Sequence, residues 1–204
     1  MSAFDDLVLE IKACTLCPLS EGRIQAVPGE GSRTADIMFI GEGPGFYEDR
    51  DGRPFIGPAG KLLDEMLASI GLNREDVYVT NMVKCRPPQN RDPLPTETGA
   101  CQPYLDRQLE IISPKVVATL GRFSFGKFFP SESISKARGK PRRWRDLTVY
   151  PMYHPAAALH NPRLRPAIEN DFRRLPSLIE SASRAPEEPE QAAKARQLSM
   201  FEQL

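Results

Sequence analysis

The sequence predicts an α/β fold, a three-layer αβα sandwich around a central four-stranded parallel sheet. Short apolar runs alternate along the chain with longer segments of helical spacing, the pattern of strands joined by crossover helices. The run from Ile37 to Ile40 is continuous, as in parallel strands that helices cover on both faces. A chain of 204 residues, 40% of them hydrophobic, is long enough to bury the core of one such domain.

Four segments are expected to form the parallel strands. The clearest is the uniformly apolar run from Ile37 to Ile40, which a glycine follows at once. In a parallel sheet the carboxyl ends of the strands meet at one edge, and ligands bind in the crevice beyond that edge. The predicted strands span residues 36–41, 77–80, 115–121 and 148–153.

Five segments show the spacing of amphipathic helices. The clearest runs from Leu62 to Ile70 and stops at Gly71, a typical residue after a helix end. We expect Gly/Pro-rich loops at 42–57 and 86–95, and an irregular ribbon or hairpin in the basic segment 136–145. The predicted helices span residues 3–12, 58–70, 97–112, 122–129 and 165–182.

One folded domain is expected over residues 1–183, with a flexible tail over residues 184–204. The tail begins with Ala, Glu, Pro, Lys, Gln and Arg, a composition too polar to fold by itself. The chain has no apolar run of the ~18 residues that a membrane helix needs, and its acidic N-terminus lacks the pattern of a signal peptide. We therefore expect a cytoplasmic monomer without membrane association.

The zero net charge conceals a polarised chain. Residues 1–114 carry 11 Lys/Arg against 18 Asp/Glu, whereas residues 115–165 carry 11 against 2. A basic block of this size is typical of a surface that faces a polyanion such as nucleic acid. The alternative is a solvated face whose charges are balanced in space by the acidic half.

The four cysteines follow the spacing C-x2-C-x67-C-x15-C. A CxxC turn supplies two thiolates to one site, and two further cysteines complete a four-sulfur shell that suits zinc or an iron–sulfur cluster. Spacing alone does not decide between these metals. The alternative is two buried free cysteines beside a redox-active CxxC. The cysteines are Cys14, Cys17, Cys85 and Cys101.

Functional residue types follow three of the predicted strands. They occur in segments 41–45 (Gly-Glu-Gly-Pro-Gly), 81–85 (Asn-Met-Val-Lys-Cys) and 154–159 (His-Pro-Ala-Ala-Ala-Leu). Since the carboxyl ends of parallel strands share one edge, the three segments are expected to meet there. The sequence therefore predicts an active site at this edge.

Together these motifs closely resemble family 4 of the uracil-DNA glycosylases, the thermophile-type, iron–sulfur branch of that superfamily. The resemblance covers about residues 5–182, and the four cysteines stand in the matching places. A glycine-rich loop after a strand is common, so the order of all the motifs together makes the match specific. The matching segments are 41–45 with Glu48 and Asp49, 52–57, 78–88 and 154–156.

The resemblance implies an αβα enzyme that flips uracil out of single- or double-stranded DNA and hydrolyses its bond to the sugar, in base excision repair. It also implies a 4Fe–4S cluster with a structural role on the four cysteines, and so favours iron–sulfur over zinc.

The resemblance and the chemistry of the side chains predict the uracil contacts. The Asn81 amide can donate to O4 and accept from N3–H, and His154 is expected to donate to O2 as the base leaves. Phe55 is expected to stack on the base. Gly41 and Gly43 let the backbone approach the base closely.

Two carboxylates are candidates for the residue that positions the attacking water. Family-1 enzymes place an aspartate at the position of Gly43 and a tyrosine, against the thymine methyl, at that of Gly45, and this sequence has neither. We expect Glu42 or Glu48 to position the water and Glu48 to help exclude thymine. The alternative for either carboxylate is a solvated side chain.

DNA contacts are predicted on three segments. Arg86 and Arg91 in the Pro-rich loop, and Arg163 and Arg165 after the last strand, are suited to phosphates, together with the basic segment 136–145. Leu159 is expected to fill the space that the flipped base leaves. Binding should therefore weaken steeply with salt.

The end of the tail resembles the pentapeptide by which bacterial repair proteins bind the DNA sliding clamp. Its candidate contact residues are Gln197, Leu198, Met200 and Phe201. The alternative is a frayed or self-docked tail.

Two other functions fit the same motifs. One is a related branch that traps uracil-DNA covalently, but its characteristic histidine is absent from residues 86–95. The other is a non-catalytic iron–sulfur adaptor that binds DNA or transfers electrons.

Overall fold

A computed structural model of the chain describes residues 2–184. Its strands are β1 (Glu30–Gly31), β2 (Ile37–Gly41), β3 (Tyr78–Asn81), β4 (Val116–Leu120), β5 (Arg142–Trp144) and β6 (Leu147–Met152). They form one sheet in the order β1-β3-β2-β4-β6-β5. The four inner strands are parallel, and the short edge strands β1 and β5 pair antiparallel to β3 and β6.

Helices cover both faces of this sheet. Within residues 2–184 they are α1 (Ala3–Ala13), α2 (Leu19–Gly22), α3 (Phe46–Asp51), α4 (Pro58–Ala68), α5 (Pro95–Ile112), α6 (Arg122–Phe128), α7 (Ile134–Ala137), α8 (Pro155–His160) and α9 (Arg165–Arg184). Single 3-10 turns lie at Arg74–Asp76, Pro88–Asn90 and Pro162–Leu164.

The core has two apolar layers, one on each side of the sheet. Successive side chains of a strand point to opposite faces, and β2 divides its residues accordingly. Phe39 packs with α4 and α9, and its ring lies parallel to that of Phe172 with centroids 5.7 Å apart. Met38 and Ile40 pack with α1 and α5 on the other face. All residues of β2 and β4 are buried, which explains why β2 is an unbroken apolar run and why only Thr119 interrupts that of β4.

The predicted αβα sandwich with four parallel strands is confirmed. The edge strand β1 was not predicted, because two residues are too few to show a period in the sequence. The expected loop 42–57 contains the helix α3. The basic segment, expected to be an irregular ribbon or hairpin, contains α7 and the strand β5, which pairs with β6 as a hairpin. No helix in the described part of the chain is long and apolar enough to cross a membrane.

The domain boundary at residue 183 stays a prediction. The last described element, α9, ends at Arg184. The predicted flexible tail and its clamp peptide lie outside the described residues.

Candidate active site

The site lies where the order of the strands reverses. From β2 the chain crosses to β3 on one side, and then to β4 on the other side of β2. Such switch points leave a crevice beyond the carboxyl ends of the strands. Here the crevice is a cavity of about 620 Å³. It is lined by Glu42, Gly43, Pro44, Gly45, Glu48, Phe55, Ala59, Asn81, Pro87, Asn90, Arg91, Asp92, His154, Ala156, Ala157 and His160.

Strand register joins two of the predicted segments. Gly41 lies opposite Asn81, and parallel pairing continues beyond the strands, with the Met82 N–H donating to the Gly41 carbonyl. A Cβ on Gly41 would lie 2.4 Å from Asn81 Oδ1 and 2.6 Å from the Phe55 ring. Gly41 therefore does not line the cavity itself but leaves room for the two side chains that do.

The Asn81 side chain is held at the cavity with an unused acceptor. Its residue is 1% exposed, and within the described residues its Oδ1 has no hydrogen-bond partner. A buried unpaired amide oxygen costs about 1–3 kcal/mol. A ligand that brings an N–H donor to this oxygen would recover that free energy.

Phe55 and His154 pack against each other beside the cavity. Their rings stack with centroids 5.4 Å apart and planes 26° from parallel. Phe55 has a left-handed backbone, with φ at +52°, which is uncommon for a residue other than glycine. Its ring is only 5% exposed. The structure thus shows Phe55 packed on His154 beside the cavity, and its predicted stacking on a base stays a prediction.

His154 is a neutral donor in this geometry. It is the N-cap of α8, and its Nδ1 accepts a hydrogen bond of 3.1 Å from the Ala156 N–H. A nitrogen that accepts carries no proton, so the hydrogen of the neutral ring is on Nε2. Burial lowers the pKa of His154 to about 4, against a smaller opposing effect of the Glu48 carboxylate. The ring is therefore neutral at pH 7.

Glu48 holds the loop that precedes α4. Its Oε1 accepts from the Ile56 and Gly57 N–H groups at 3.0 and 2.9 Å, and its Oε2 accepts from the Gly45 N–H at 3.1 Å. Three backbone donors on one carboxylate fix the path of the loop that carries Phe55. The structure thus gives Glu48 a positioning role that its sequence context did not reveal.

Glu42 is the carboxylate with fewer hydrogen-bond partners. It is half-buried at the cavity wall, and within residues 2–184 its side chain makes no hydrogen bond. Burial, with a smaller effect of the Asp92 carboxylate, raises its pKa, and Arg122 partly opposes this. Gly43, the next residue, is packed closely, since a Cβ there would lie 2.8 Å from the Val83 side chain.

The four cysteines line one small, largely apolar cavity. The CxxC turn after α1 provides Cys14 and Cys17, the segment after β3 provides Cys85, and α5 provides Cys101. Ile11, Leu16 and Tyr104 also line it.

Several N–H groups point at the sulfur atoms. Arg23 donates to Cys85 Sγ at 3.0 Å, and the Lys84 N–H donates to Cys101 Sγ at 3.2 Å. In the described part of the chain, no three His, Cys, Asp or Glu side chains are arranged to hold a single metal ion.

The predicted DNA-contact residues have different surroundings. Arg86 is half-buried, its Nε donates to Asn90 Oδ1 at 2.8 Å, and no carboxylate within residues 2–184 pairs with it. Arg91 lines the cavity but forms a bidentate pair with the buried Glu97, at 2.9 and 2.6 Å. Its role in binding phosphate stays a prediction. That role requires the Arg91 guanidinium to contact a phosphate while it remains paired with Glu97.

The predicted DNA contacts after β6 are exposed, as their role requires. Leu159 is 48% exposed on α8, and Arg163 is exposed in the turn that follows. Arg165 instead bridges Glu65 and Glu169 at 3.0 Å each. None of the three lines the cavity.

Most of the charges in the basic block are paired with carboxylates, five of which lie outside the block. Seven of the 11 Lys and Arg of residues 115–165 form ion pairs. Arg138, for example, donates to the buried Asp171 at 2.7 Å. This favours the alternative of a balanced face over a continuous phosphate-binding surface. The pairs are Lys115–Asp36, Arg122–Asp92, Lys127–Asp106, Arg138–Asp171, Arg142–Glu132, Arg143–Asp146 and Arg165–Glu65.

A buried lysine supports Asn81, and no pattern in the sequence predicted it. Lys84 is 1% exposed, and its Nζ donates to Thr80 Oγ1, the Asn81 carbonyl and Gln108 Oε1 at 2.7, 2.8 and 2.6 Å. Burial lowers its pKa to about 7. This network fixes the main chain at the end of β3, from which the side chain of Asn81 projects.

The fold and the cavity together define a three-layer α/β protein with a ligand site at the switch point of its sheet. A model of the uracil DNA glycosylase superfamily matches residues 28–175, so the chain belongs to that superfamily. Within it, the relatives identified below are of the type-4 family.

A type-4 uracil-DNA glycosylase of Sulfurisphaera tokodaii is 50% identical over 87% of this chain and 86% of its own length. A type-4 enzyme of Archaeoglobus fulgidus is 49% identical over 87% of this chain and 94% of its own length. One of Thermotoga maritima is 45% identical over 83% of this chain and 91% of its own length. These identities confirm the resemblance to the type-4 enzymes.

Proposed function

We propose that this chain is a DNA repair enzyme that extrudes uracil from DNA and hydrolyses its N-glycosidic bond, leaving an abasic site. One observation carries the proposal: Phe55, Asn81 and His154, from three distant segments, line one cavity. A base must leave the duplex to reach such a cavity. The type-4 uracil-DNA glycosylases at 45–50% identity support the same function.

Asn81 is suited to select uracil. Uracil presents an N3–H donor beside the O4 acceptor, and an amide with its oxygen free can pair with both. Cytosine presents an acceptor at N3 and an amino donor at C4, so it would oppose like groups. The unpaired Oδ1 of Asn81 is the acceptor that this selection requires.

His154 is suited to stabilise the leaving base. Cleavage of the glycosidic bond leaves its electron pair on uracil, and the negative charge gathers partly on O2. The neutral imidazole has its Nε2–H available, because Nδ1 already accepts from Ala156. A donor preorganised in a water-poor site lowers the barrier more than one in bulk water would.

Glu42 is our candidate for the residue that positions water. Its carboxylate has no hydrogen bond to the described chain, whereas Glu48 is committed to three backbone N–H groups. A raised pKa brings Glu42 closer to the operating pH, which suits a general base. Glu48 acts on the reaction through the loop that it holds, and the loop in turn places Phe55.

The donor set of the second cavity fits an iron–sulfur cluster. Four thiols surround an apolar space, and N–H groups of Arg23 and Lys84 point at two of the sulfur atoms, as is usual around thiolate-bound clusters. The cluster would tie the CxxC turn to α5 and to the segment after β3. Its role here would be structural, because it lies apart from the residues that line the uracil cavity.

DNA is expected to reach the cavity along Arg86, Leu159 and Arg163. Within the described residues, neither of these two arginines forms an ion pair, so both are available to phosphates. The salt dependence of binding should be smaller than the basic block alone suggests, since most of its charges are paired. We further propose a cytoplasmic monomer whose residues 197–201 bind the sliding clamp. A titration of the clamp with a chain that lacks residues 197–204 tests the last point, because unchanged affinity would contradict it.

An oligonucleotide with a single uracil tests the function and separates it from its rivals. After incubation with the protein and heating in alkali, a strand break at uracil is expected, and none at cytosine or thymine in the same position. A stable protein–DNA adduct would instead indicate the trapping branch. Intact DNA without an adduct would indicate a non-catalytic adaptor.

A further inference from the structure

Two exposed aromatic side chains stand at the rim of the uracil cavity. Phe46 and Tyr47 are 51% and 46% exposed. Within residues 2–184, no other Phe, Tyr or Trp is exposed. Both begin the helix α3, between Gly45 and Glu48, which line the cavity. The mechanism above uses neither ring.

The two rings are held in a defined arrangement. Their centroids lie 5.5 Å apart with planes at 82°, an edge-to-face pair. Behind them, the Tyr47 ring lies close to Gly57, since a Cβ there would be 3.2 Å from its Cδ2. Glu48 holds Gly57 through its N–H. The same carboxylate thus fixes the uracil loop and supports this pair of rings.

Positive charge lies against each ring. The Arg86 guanidinium is 5.3 Å from the centroid of Phe46, and the Arg50 guanidinium is 5.6 Å from that of Tyr47. Arg50 shares its charge with Asp51, whereas no carboxylate within residues 2–184 pairs with Arg86. Arg86 also donates to Asn90, which lines the cavity.

Rings interleaved with guanidinium groups are the arrangement by which proteins bind single-stranded nucleic acid: bases stack on the rings and phosphates pair with the cations. We propose that Phe46 and Tyr47, with Arg86, form a stacking platform for the nucleotide next to the extruded uracil. The proposal rests on the proposed function, because it assigns a partner to the rim of the same cavity. A base beside a flipped nucleotide has lost one stacking neighbour, and an aromatic ring can replace that neighbour.

The test uses single-stranded oligonucleotides with one uracil. Three substrates are compared: one with normal flanking bases, and two in which a tetrahydrofuran abasic residue replaces the base on the 5′ or on the 3′ side of uracil. The proteins are the wild type, the double variant Phe46→Ala/Tyr47→Ala, and Leu9→Ala. Leu9 is a matched control, since it is 51% exposed on α1, which does not line the cavity.

With the normal substrate, we expect kcat/KM for uracil release to fall about 5- to 10-fold in the double variant, near the low end of the range for stacking on half-exposed rings. Leu9→Ala should match the wild type. Removal of one of the two flanking bases should lower kcat/KM of the wild type by a similar factor and leave the double variant unaffected, because the base has lost its partner already.

Each outcome has one meaning. Equal effects of base removal in the wild type and in the double variant would overturn the platform, even if the variant were slower overall. A wild type that releases no uracil from any substrate would instead overturn the proposed function. A Phe46→Leu variant separates stacking from simple apolar contact, since the platform predicts that leucine restores little of the loss.

Discussion

Replacement of Glu48 by glutamine distinguishes a residue that holds the loop from one that activates water. The carboxylate accepts three backbone N–H bonds, two on Oε1 and one on Oε2. Glutamine has one carbonyl oxygen and one amino group. If its oxygen faces Ile56 and Gly57, its amino group faces the Gly45 N–H, and two donors oppose each other.

The magnitude follows from these three bonds. Hydrogen bonds to a charged group contribute about 1.5–3 kcal/mol and neutral ones about 0.5–1.5 kcal/mol, so the two retained bonds lose about 2 kcal/mol together. The third N–H is left without a partner, at a cost of about 1 kcal/mol in this half-buried position. We expect the loop to be less stable by about 3 kcal/mol in Glu48→Gln, roughly a 100-fold shift toward its open forms.

The assay combines hydrogen exchange with kinetics. The amides of Gly45, Ile56 and Gly57 should exchange faster in Glu48→Gln, and kcat/KM for uracil release should fall because Phe55 is no longer held. Glu42→Gln is the matched control. It should leave those amides protected and lower kcat about 10²- to 10⁴-fold, as loss of a general base does. Unchanged amide exchange in Glu48→Gln, with a fall in kcat alone, would show that Glu48 acts on the water and would refute the positioning role.

Three further predictions concern the other buried groups. Glu42 acts as a base with a pKa raised above its usual 4.5, so the rate should fall as the pH drops through that raised value. His154 should stay neutral down to about pH 4. A pH–rate profile in which Glu42→Gln keeps the same acid limb would contradict this assignment. Lys84→Met leaves three buried acceptors without their donor, at a cost of a few kcal/mol. Since each kcal/mol lowers Tm by about 2–4 °C in a domain of this size, Tm should fall by about 5 °C or more. Lys61→Met on the surface should leave Tm unchanged, and equal Tm values for the two variants in a thermal melt would rule out the network as a support of β3. Cys101→Ser should abolish a broad visible absorption and lower Tm, and a colourless wild-type protein would exclude the iron–sulfur cluster.

Much of the fold was predictable because local patterns determine it. The continuous apolar run of β2 reflects burial on both faces, and parallel strands bring their carboxyl ends to one edge whatever the connecting loops contain. Asn81 and His154 could therefore be assigned to one site from their places after strands. The short edge strand β1 could not be predicted, because two residues show no period.

The roles of charged residues were the least predictable part of the site. Arg138 is part of a basic run in the sequence, yet its partner is Asp171, 33 residues further along the chain. A lysine after a strand suggests a solvated side chain. Lys84 is instead buried, and its charge is accommodated because Gln108 of α5 accepts a hydrogen bond from it. Such partners depend on the packing of distant segments, which spacing along the chain does not reveal.

The single-turnover rate of Asn81→Asp, on DNA that contains uracil or cytosine at the same position, tests whether Asn81 selects the base. Aspartate keeps an acceptor for N3–H but replaces the donor to O4 with a negative oxygen, next to a base that must itself become negative. We expect the rate on uracil to fall about 100-fold or more, from the lost donor and the added repulsion. A variant that releases uracil at the wild-type rate would show that Asn81 does not contact the base, and would refute Asn81 as the residue that selects uracil.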